Sequence, residues 1–503
     1  MKKIFISFLA STLLSVSLIL ASCSFPPLTA TPPRTPNPTD IPWDDRSIFN
    51  NGLIASQQHV LNEIKGASVY RIEFNIADDI YHVTGHEEVQ YTNTETVMLN
   101  EVELRLFPNI LGGKMDVSNI SIDDKSVAPT YDLENSLMII PFSTPLEPNQ
   151  NVILKMDFAD EVPQSVDQNY GVLAYYENVL ALAHAYPMIC VYDDEGWNAE
   201  IPPQDGDISY SDAAFFLVQI NAPIGLTLVT TGSDLDHSEA GQTQTLTVAD
   251  GPARDFYLVA SPAYKEVSKK FGEVTIHSYA INGSEDGAQL ALDVASKAMD
   301  VYSKRYAPYP YTEFDIASTP TLALGIEYPG MIAITSRIYN VNGEYRGTPV
   351  RNYMQATVAH EVGHQWFYNL VGDDQLDDPW LDESFAQFVT LQYYTDEYGP
   401  QGAEGFRASL EGRWKSVDEA HIPIGLPVAK YSDQEYGAIV YGRGALFLVA
   451  LKEKMGDAVF DQFMKDYTTQ LSWGIATPQF MQSLAEKDCA CDLDQLFNDW
   501  VYP

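Results

Sequence analysis

The residues whose types and spacing are most suited to chemistry are His360, Glu361 and His364 in VAHEVGHQWFYNLVG, followed after eighteen residues by Glu383 in PWLDESFAQFVT. Residues four apart on an α-helix share one face, about 6 Å apart along the axis, so both imidazoles can address a single ion. Imidazole suits zinc, and a catalytic zinc takes three protein ligands and keeps a position open for water. Two histidines alone are a weak signal, because an amphipathic core helix can carry such a pair by chance; the third ligand decides. Gly372 is expected to close the first helix, DDQLDDP to make the turn, and Asp378 to cap a second helix that has Pro379 at its first position. Glu383 then falls in the first turns of that helix, where it can return to the metal. Glu361 is not needed as a ligand, and a glutamate at this point of the motif takes a proton from attacking water and passes it to a leaving amine. Zinc draws the pKa of bound water toward about 7 and polarises a carbonyl, so the expected chemistry is peptide-bond hydrolysis without a covalent intermediate.

These residues need a scaffold, and the pattern changes period along the chain. From about residue 67 to 265 apolar residues alternate with polar ones, as in Tyr70, Ile72, Phe74 and Ile76, or Val152, Leu154, Met156 and Phe158. Turn signals such as Asn149-Gln150-Asn151 and Gly232-Ser233-Asp234 separate these runs. The reading is an antiparallel β-sandwich-like domain over 46–265, followed by a mostly helical α+β catalytic domain over 266–503. Helices are expected at 286–306, 351–371, 381–397, 402–417, 442–455, 457–471 and 477–487, with a strand-like region near 313–335.

The chain has 503 residues, 45% of them apolar and 19% charged, which suits several globular domains. With 29 Lys and Arg against 69 Asp and Glu, its formal net charge is −40, and an acidic surface of this kind argues against nucleic acid as a partner. Lys2 and Lys3 precede an apolar run that ends in Leu20-Ala21-Ser22-Cys23, the layout of a secretory signal over 1–22. Its end resembles a bacterial lipobox, which implies a lipidated Cys23 and an extracytoplasmic protein held on a bacterial membrane; an uncleaved membrane anchor is the other reading. Residues 23–45 are rich in proline and threonine and read as a spacer. Cys190, Cys489 and Cys491 are the remaining cysteines, the last two either incidental or joined in a tight local disulfide.

Taken together, HQWFYNLVG, WLDESFA, ARDFYLVAS at 253–261 and YPYTEFDIAS at 309–318 make the chain resemble the gluzincin metallopeptidases of the aminopeptidase N family. The resemblance implies a thermolysin-like catalytic domain, one zinc ion held by His360, His364 and Glu383, Glu361 as the proton carrier, and peptides as substrates. It also places Glu327, in LALGIEYPGMI, on the free α-amine of the substrate, although Ile326 and Tyr328 replace the methionine and asparagine usual in that loop. Tyr441, in YGAIVYGRGALFL, matches the tyrosine that donates to the oxyanion, with Arg443 in place of lysine, and Tyr436 five residues earlier is expected to assist. No residue matches the glutamine that helps hold the amine in many members; His184 lies in that region and is either structural or a substitute. The long helical C-terminal domain of larger members is expected to be absent. The expected activity is that of an aminopeptidase; an endopeptidase or dipeptide-releasing enzyme, and a non-catalytic binding protein with a relic zinc site, are the alternatives.

Overall fold

A computed structural model describes residues 41–503 apart from 204, 205, 209 and 282. Cys23, the signal sequence and nearly all of the spacer lie outside the described residues. No helix among the described residues is long and apolar enough to cross a membrane.

The first half is β-rich. Eight strands form one sheet in the order Ser233–Ala240, Thr243–Ala253, Ala214–Pro223, Val69–Ile76, His82–Thr92, Asn151–Glu161, Lys114–Ile122 and Lys125–Ser126. Two four-stranded sheets accompany it, one centred on Leu258–Ser261 and Val179–Leu182, the other on Leu99–Arg105 and Leu137–Leu146. Their shared core takes Tyr70, Ile72 and Phe74 from the large sheet, with Leu104, Ile140 and Leu180 from the small ones. The sheet is not wholly antiparallel as expected, because Val69–Ile76 pairs in parallel with Ala214–Pro223. Parallel neighbours need a long crossover, and the chain between these two strands, which builds much of the rest of the half, supplies it. Alternation also fails at Arg71. Its side chain is buried under the segment before the sheet, with the guanidinium 3.5 Å from the centre of the Trp43 ring.

The second half begins with a five-stranded sheet in the order Tyr264–Phe271, Val274–Ile281, Glu313–Thr319, Met331–Thr335 and Gly325–Tyr328. Helices α1 (Glu285–Arg305), α2 (Val350–Gly363) and α3 (Trp380–Lys415) follow, then α4 (Asp433–Ala438), α5 (Gly444–Met455), α6 (Asp457–Gln470), α7 (Pro478–Cys489) and α8 (Asp494–Trp500). The two helices expected at 381–397 and 402–417 lie within α3, which breaks at Gly399, where φ is 69°, just before Pro400. The helix that carries His360 and Glu361 is shorter than expected, ending at Gly363 with His364 as its C-terminal cap. Gly372 therefore caps nothing. A Cβ there would lie 2.2 Å from the Arg254 guanidinium carbon, so glycine permits that close approach. Buried Arg254 ties the two halves together, donating to the carbonyls of Asn369 at 2.9 Å, Ser211 at 3.0 Å and Gly474 at 2.7 Å. Asp378 does not cap α3 with its side chain either; its carbonyl accepts from the Leu381 amide at 2.9 Å, and Pro379 stands at the cap. Cys489 and Cys491 form a disulfide at the end of α7.

One buried acid makes the β-rich half sensitive to pH. Glu87 lies fully buried in the strand His82–Thr92, and neither carboxyl oxygen has a hydrogen-bond partner among the described residues. Burial pushes its carboxyl well above the ordinary value, so the folded chain keeps a proton that the unfolded chain releases above about pH 4.3. Stability linked to that proton is complete below the unfolded pKa and is lost as pH rises toward the folded one. Glu87→Leu should therefore raise the midpoint of thermal unfolding more at about pH 8 than at about pH 4.5. Equal shifts at both pH values would contradict this assignment.

Candidate active site

A cavity of about 1130 Å³ opens between the β-rich half and the helices, and its wall includes His360, Glu361, Glu383, Glu327 and Tyr441. The last turn of α2 carries His360 and Glu361, and His364 follows directly as its cap. The first turn of α3 carries Glu383. Their ligand atoms form a compact triangle: His360 Nε2 to His364 Nε2 is 3.3 Å, His360 Nε2 to Glu383 Oε2 is 3.1 Å and His364 Nε2 to Glu383 Oε2 is 3.7 Å.

This triangle fits a metal ion. A tetrahedral ion with bonds of about 2.0–2.1 Å holds its ligand atoms about 3.4 Å apart. The Nδ1 of His364 lies 3.0 Å from the Phe367 carbonyl, an acceptor that fixes Nδ1 as the protonated nitrogen and leaves Nε2 bare toward the triangle. Burial above all, then His360, brings the His364 pKa down to about 4, so the ring stays neutral, as a ligand must be. Burial works against ionisation of Glu383, yet the hydrogen bond from His360, the two imidazoles and Tyr441 outweigh it and hold the carboxyl at about 2. His360, His364 and Glu383 thus offer two imidazole nitrogens and an ionised carboxylate within 4.8 Å of one another.

Glu361 points into the same cavity. A Cβ on Gly325 would stand 2.4 Å from its Oε1, so the glycine leaves room for that carboxylate. Glu327 is on the edge strand Gly325–Tyr328, not in a surface loop, and is 6% exposed. Gln375 Nε2 donates to Glu327 Oε1 at 3.1 Å and to Asp382 Oδ2 at 2.9 Å. Tyr441 sits in a π-helical turn, Ile439–Arg443, that joins α4 to α5, and its hydroxyl donates to Glu383 Oε1. Two close approaches hold the turn against α3: a Cβ on Gly442 would meet Arg413 Cβ at 2.9 Å, and one on Gly444 would meet Ser384 Oγ at 1.9 Å. Arg443 points the other way, donating to the carbonyls of Ile422 at 3.0 Å, Trp500 at 2.7 Å and Asp499 at 2.7 Å. It is a clasp for the end of α8, a place that uses the planar guanidinium fork. Tyr436 packs with its ring centre 5.6 Å from that of Tyr441, and its buried hydroxyl has no hydrogen-bond partner among the described residues.

Two residues on the β side complete the wall. His184 reaches the cavity with Nδ1 2.9 Å from Asp255 Oδ2. Asp207 was not foreseen. It lies on a loop with no periodic signal, and its carboxyl abuts that of Glu383; burial, then Glu383, pushes its pKa well above the ordinary range. Burial likewise raises Glu327, with Asp207 and Glu361 adding to it, and raises Glu361, with Glu383 and Asp207 adding. A divalent ion and a substrate ammonium group would relieve this crowding of like charges.

Residues 290–500 match the peptidase family M1 domain. The chain is 24% identical over 410 residues to "Aminopeptidase M1" of Arabidopsis thaliana, covering 77% of this chain and 46% of that protein. It is 23% identical over 454 residues to "Probable aminopeptidase 2" of Sulfurisphaera tokodaii, covering 86% and 52%. The chain thus spans about half the length of these relatives. In fold it is similar to an M1 zinc metallopeptidase from Deinococcus radiodurans, with a TM-score of 0.63 at 18% identity, over 87% of this chain and 93% of that one. The triangle of ligands and the matched domain agree: residues 290–500 carry the pattern of a peptidase family M1 domain, in a chain whose two-part fold is similar to that of an M1 zinc metallopeptidase.

Proposed function

We propose that the protein is an extracytoplasmic zinc aminopeptidase that removes N-terminal residues from peptides. The observation that carries this reading is the buried Glu327 carboxylate, held by Gln375 in the cavity that also contains the His360, His364 and Glu383 triangle. A carboxyl group so placed suits a free α-ammonium group, and Asp207 brings a second acid from the β side. One zinc ion bound by the triangle would supply a polarised water and carbonyl. Glu361 takes the proton from the attacking water and delivers it to the leaving amine. Tyr441 presents its hydroxyl to the oxygen on which negative charge grows, and Tyr436 packs behind it.

One peptide, offered with a free and with an acetylated N-terminus, tests the reading. Release of the first residue from the free peptide alone is expected. Equal cleavage of both at an internal bond would replace it with an endopeptidase.

The position of Gly325 yields a separate expectation. Gly325→Ala would press a methyl group on the Glu361 carboxylate, which can swing aside at little cost to the fold. Turnover should fall by at least about tenfold with zinc content and thermal midpoint nearly unchanged, since about 1 Å of misplacement can cost a hundredfold. Full activity in this variant would separate Glu361 from the proton transfer.

For location, the lipobox-like end of the leader supports anchoring through Cys23. Cys23→Ala should lose metabolic lipid labelling and release the protein from the membrane fraction; unchanged partitioning would argue for an uncleaved anchor.

A further inference from the structure

A second group of metal-type ligands lies on the five-stranded sheet, separate from the His360 triangle. His277 stands on the strand Val274–Ile281, and Glu313 and Asp315 on its parallel neighbour Glu313–Thr319. His277 is directly opposite Asp315 in the register, and Glu313 is two residues before Asp315, so all three side chains share one face of the sheet. An imidazole nitrogen and two carboxylate oxygens from these residues lie within 4.8 Å of one another.

Two further observations point to a ligand. Asp315 is 3% exposed, and its Oδ1 is buried with no hydrogen-bond partner among the described residues. A buried, unpaired carboxylate oxygen costs free energy unless something cationic meets it. His277 in turn is already oriented: Glu266 Oε1 is 2.7 Å from Nδ1, which leaves Nε2 on the side of Glu313, 3.9 Å from its Oε1. A carboxylate behind the far nitrogen of an imidazole is how ligating histidines are commonly fixed in tautomer and direction. The surrounding charge agrees. Asp234, on the edge strand of the large sheet, adds a further acid beside the group. The site is reachable, because the side chains of His277 and Glu313 remain 21% and 32% exposed.

We propose that His277, Glu313 and Asp315 bind a second divalent ion of the zinc type, with Glu266 orienting the histidine. An imidazole with two carboxylates favours zinc over magnesium or calcium, which prefer all-oxygen sites. The ion would pin the first two parallel strands of the sheet whose far edge carries Glu327, and its role would be structural, since none of its ligands reaches the large cavity.

The test keeps the two sites apart by removing the first one. In full-length protein carrying His360→Ala and His364→Ala, metal content after equilibration with buffered zinc chloride is measured by plasma mass spectrometry. A single bound ion is expected, together with a zinc-dependent rise in the thermal midpoint. Adding His277→Gln or, separately, Asp315→Asn should abolish both, with circular dichroism confirming the fold. The same two substitutions placed in the otherwise native chain should leave peptide hydrolysis intact. Metal content and thermal midpoint that do not change when His277→Gln is added would overturn the proposal.

Discussion

The structure depends on an electrostatic problem set in the large cavity. Two imidazole nitrogens stand 3.3 Å apart, that of His364 left bare because the ring's other nitrogen donates to the Phe367 carbonyl, and a buried carboxylate closes the triangle. Asp207, Glu327, Glu361 and Asp382 surround it with more negative charge. In a protein interior such charges cannot all ionise without compensation. In the proposed function a divalent ion at the triangle and an ammonium group beside Glu327 would offer that compensation, so that binding and chemistry would follow from the same surplus of charge.

Holding the arrangement in place falls to groups remote from the chemistry. Arg254 reaches from the β-rich half to the carbonyls of Asn369 and Gly474, fixing the chain that runs on from His364. Gln375 shares one amide between Glu327 and Asp382, which couples the edge strand to the start of α3. Gly442 and Gly444 let the π-helical turn press on α3, so that Tyr441 meets Glu383, while Arg443 anchors the same turn to the end of α8. Local departures from regular helix of this kind are common at functional sites.

Much of this was legible in the sequence where local spacing alone sets geometry. His360, Glu361 and His364 lie within one helical turn and its cap, and Glu383 falls in the first turn of the next helix, so their meeting follows from helix periodicity. The β alternation and most helix positions were legible for the same reason. What escaped depends on distant contacts. The parallel pairing of Val69–Ile76 with Ala214–Pro223 joins strands far apart in the chain, and no local pattern records it. Asp207 reaches the cavity from a loop that has no period. The place of Gly372 against Arg254, in the chain beyond the early end of α2, is a contact with another part of the fold. Glu327 was legible only through the resemblance of its motif, and its burial on an edge strand was not.

In the proposed reaction Glu361 moves protons beside the His360 triangle and does not hold the metal. Zinc content and peptide turnover measured together on Glu361→Gln test it most directly. Zinc should be retained at the His360 triangle with turnover lost almost completely. Turnover close to that of the native chain would contradict it, and so would loss of the ion along with the activity.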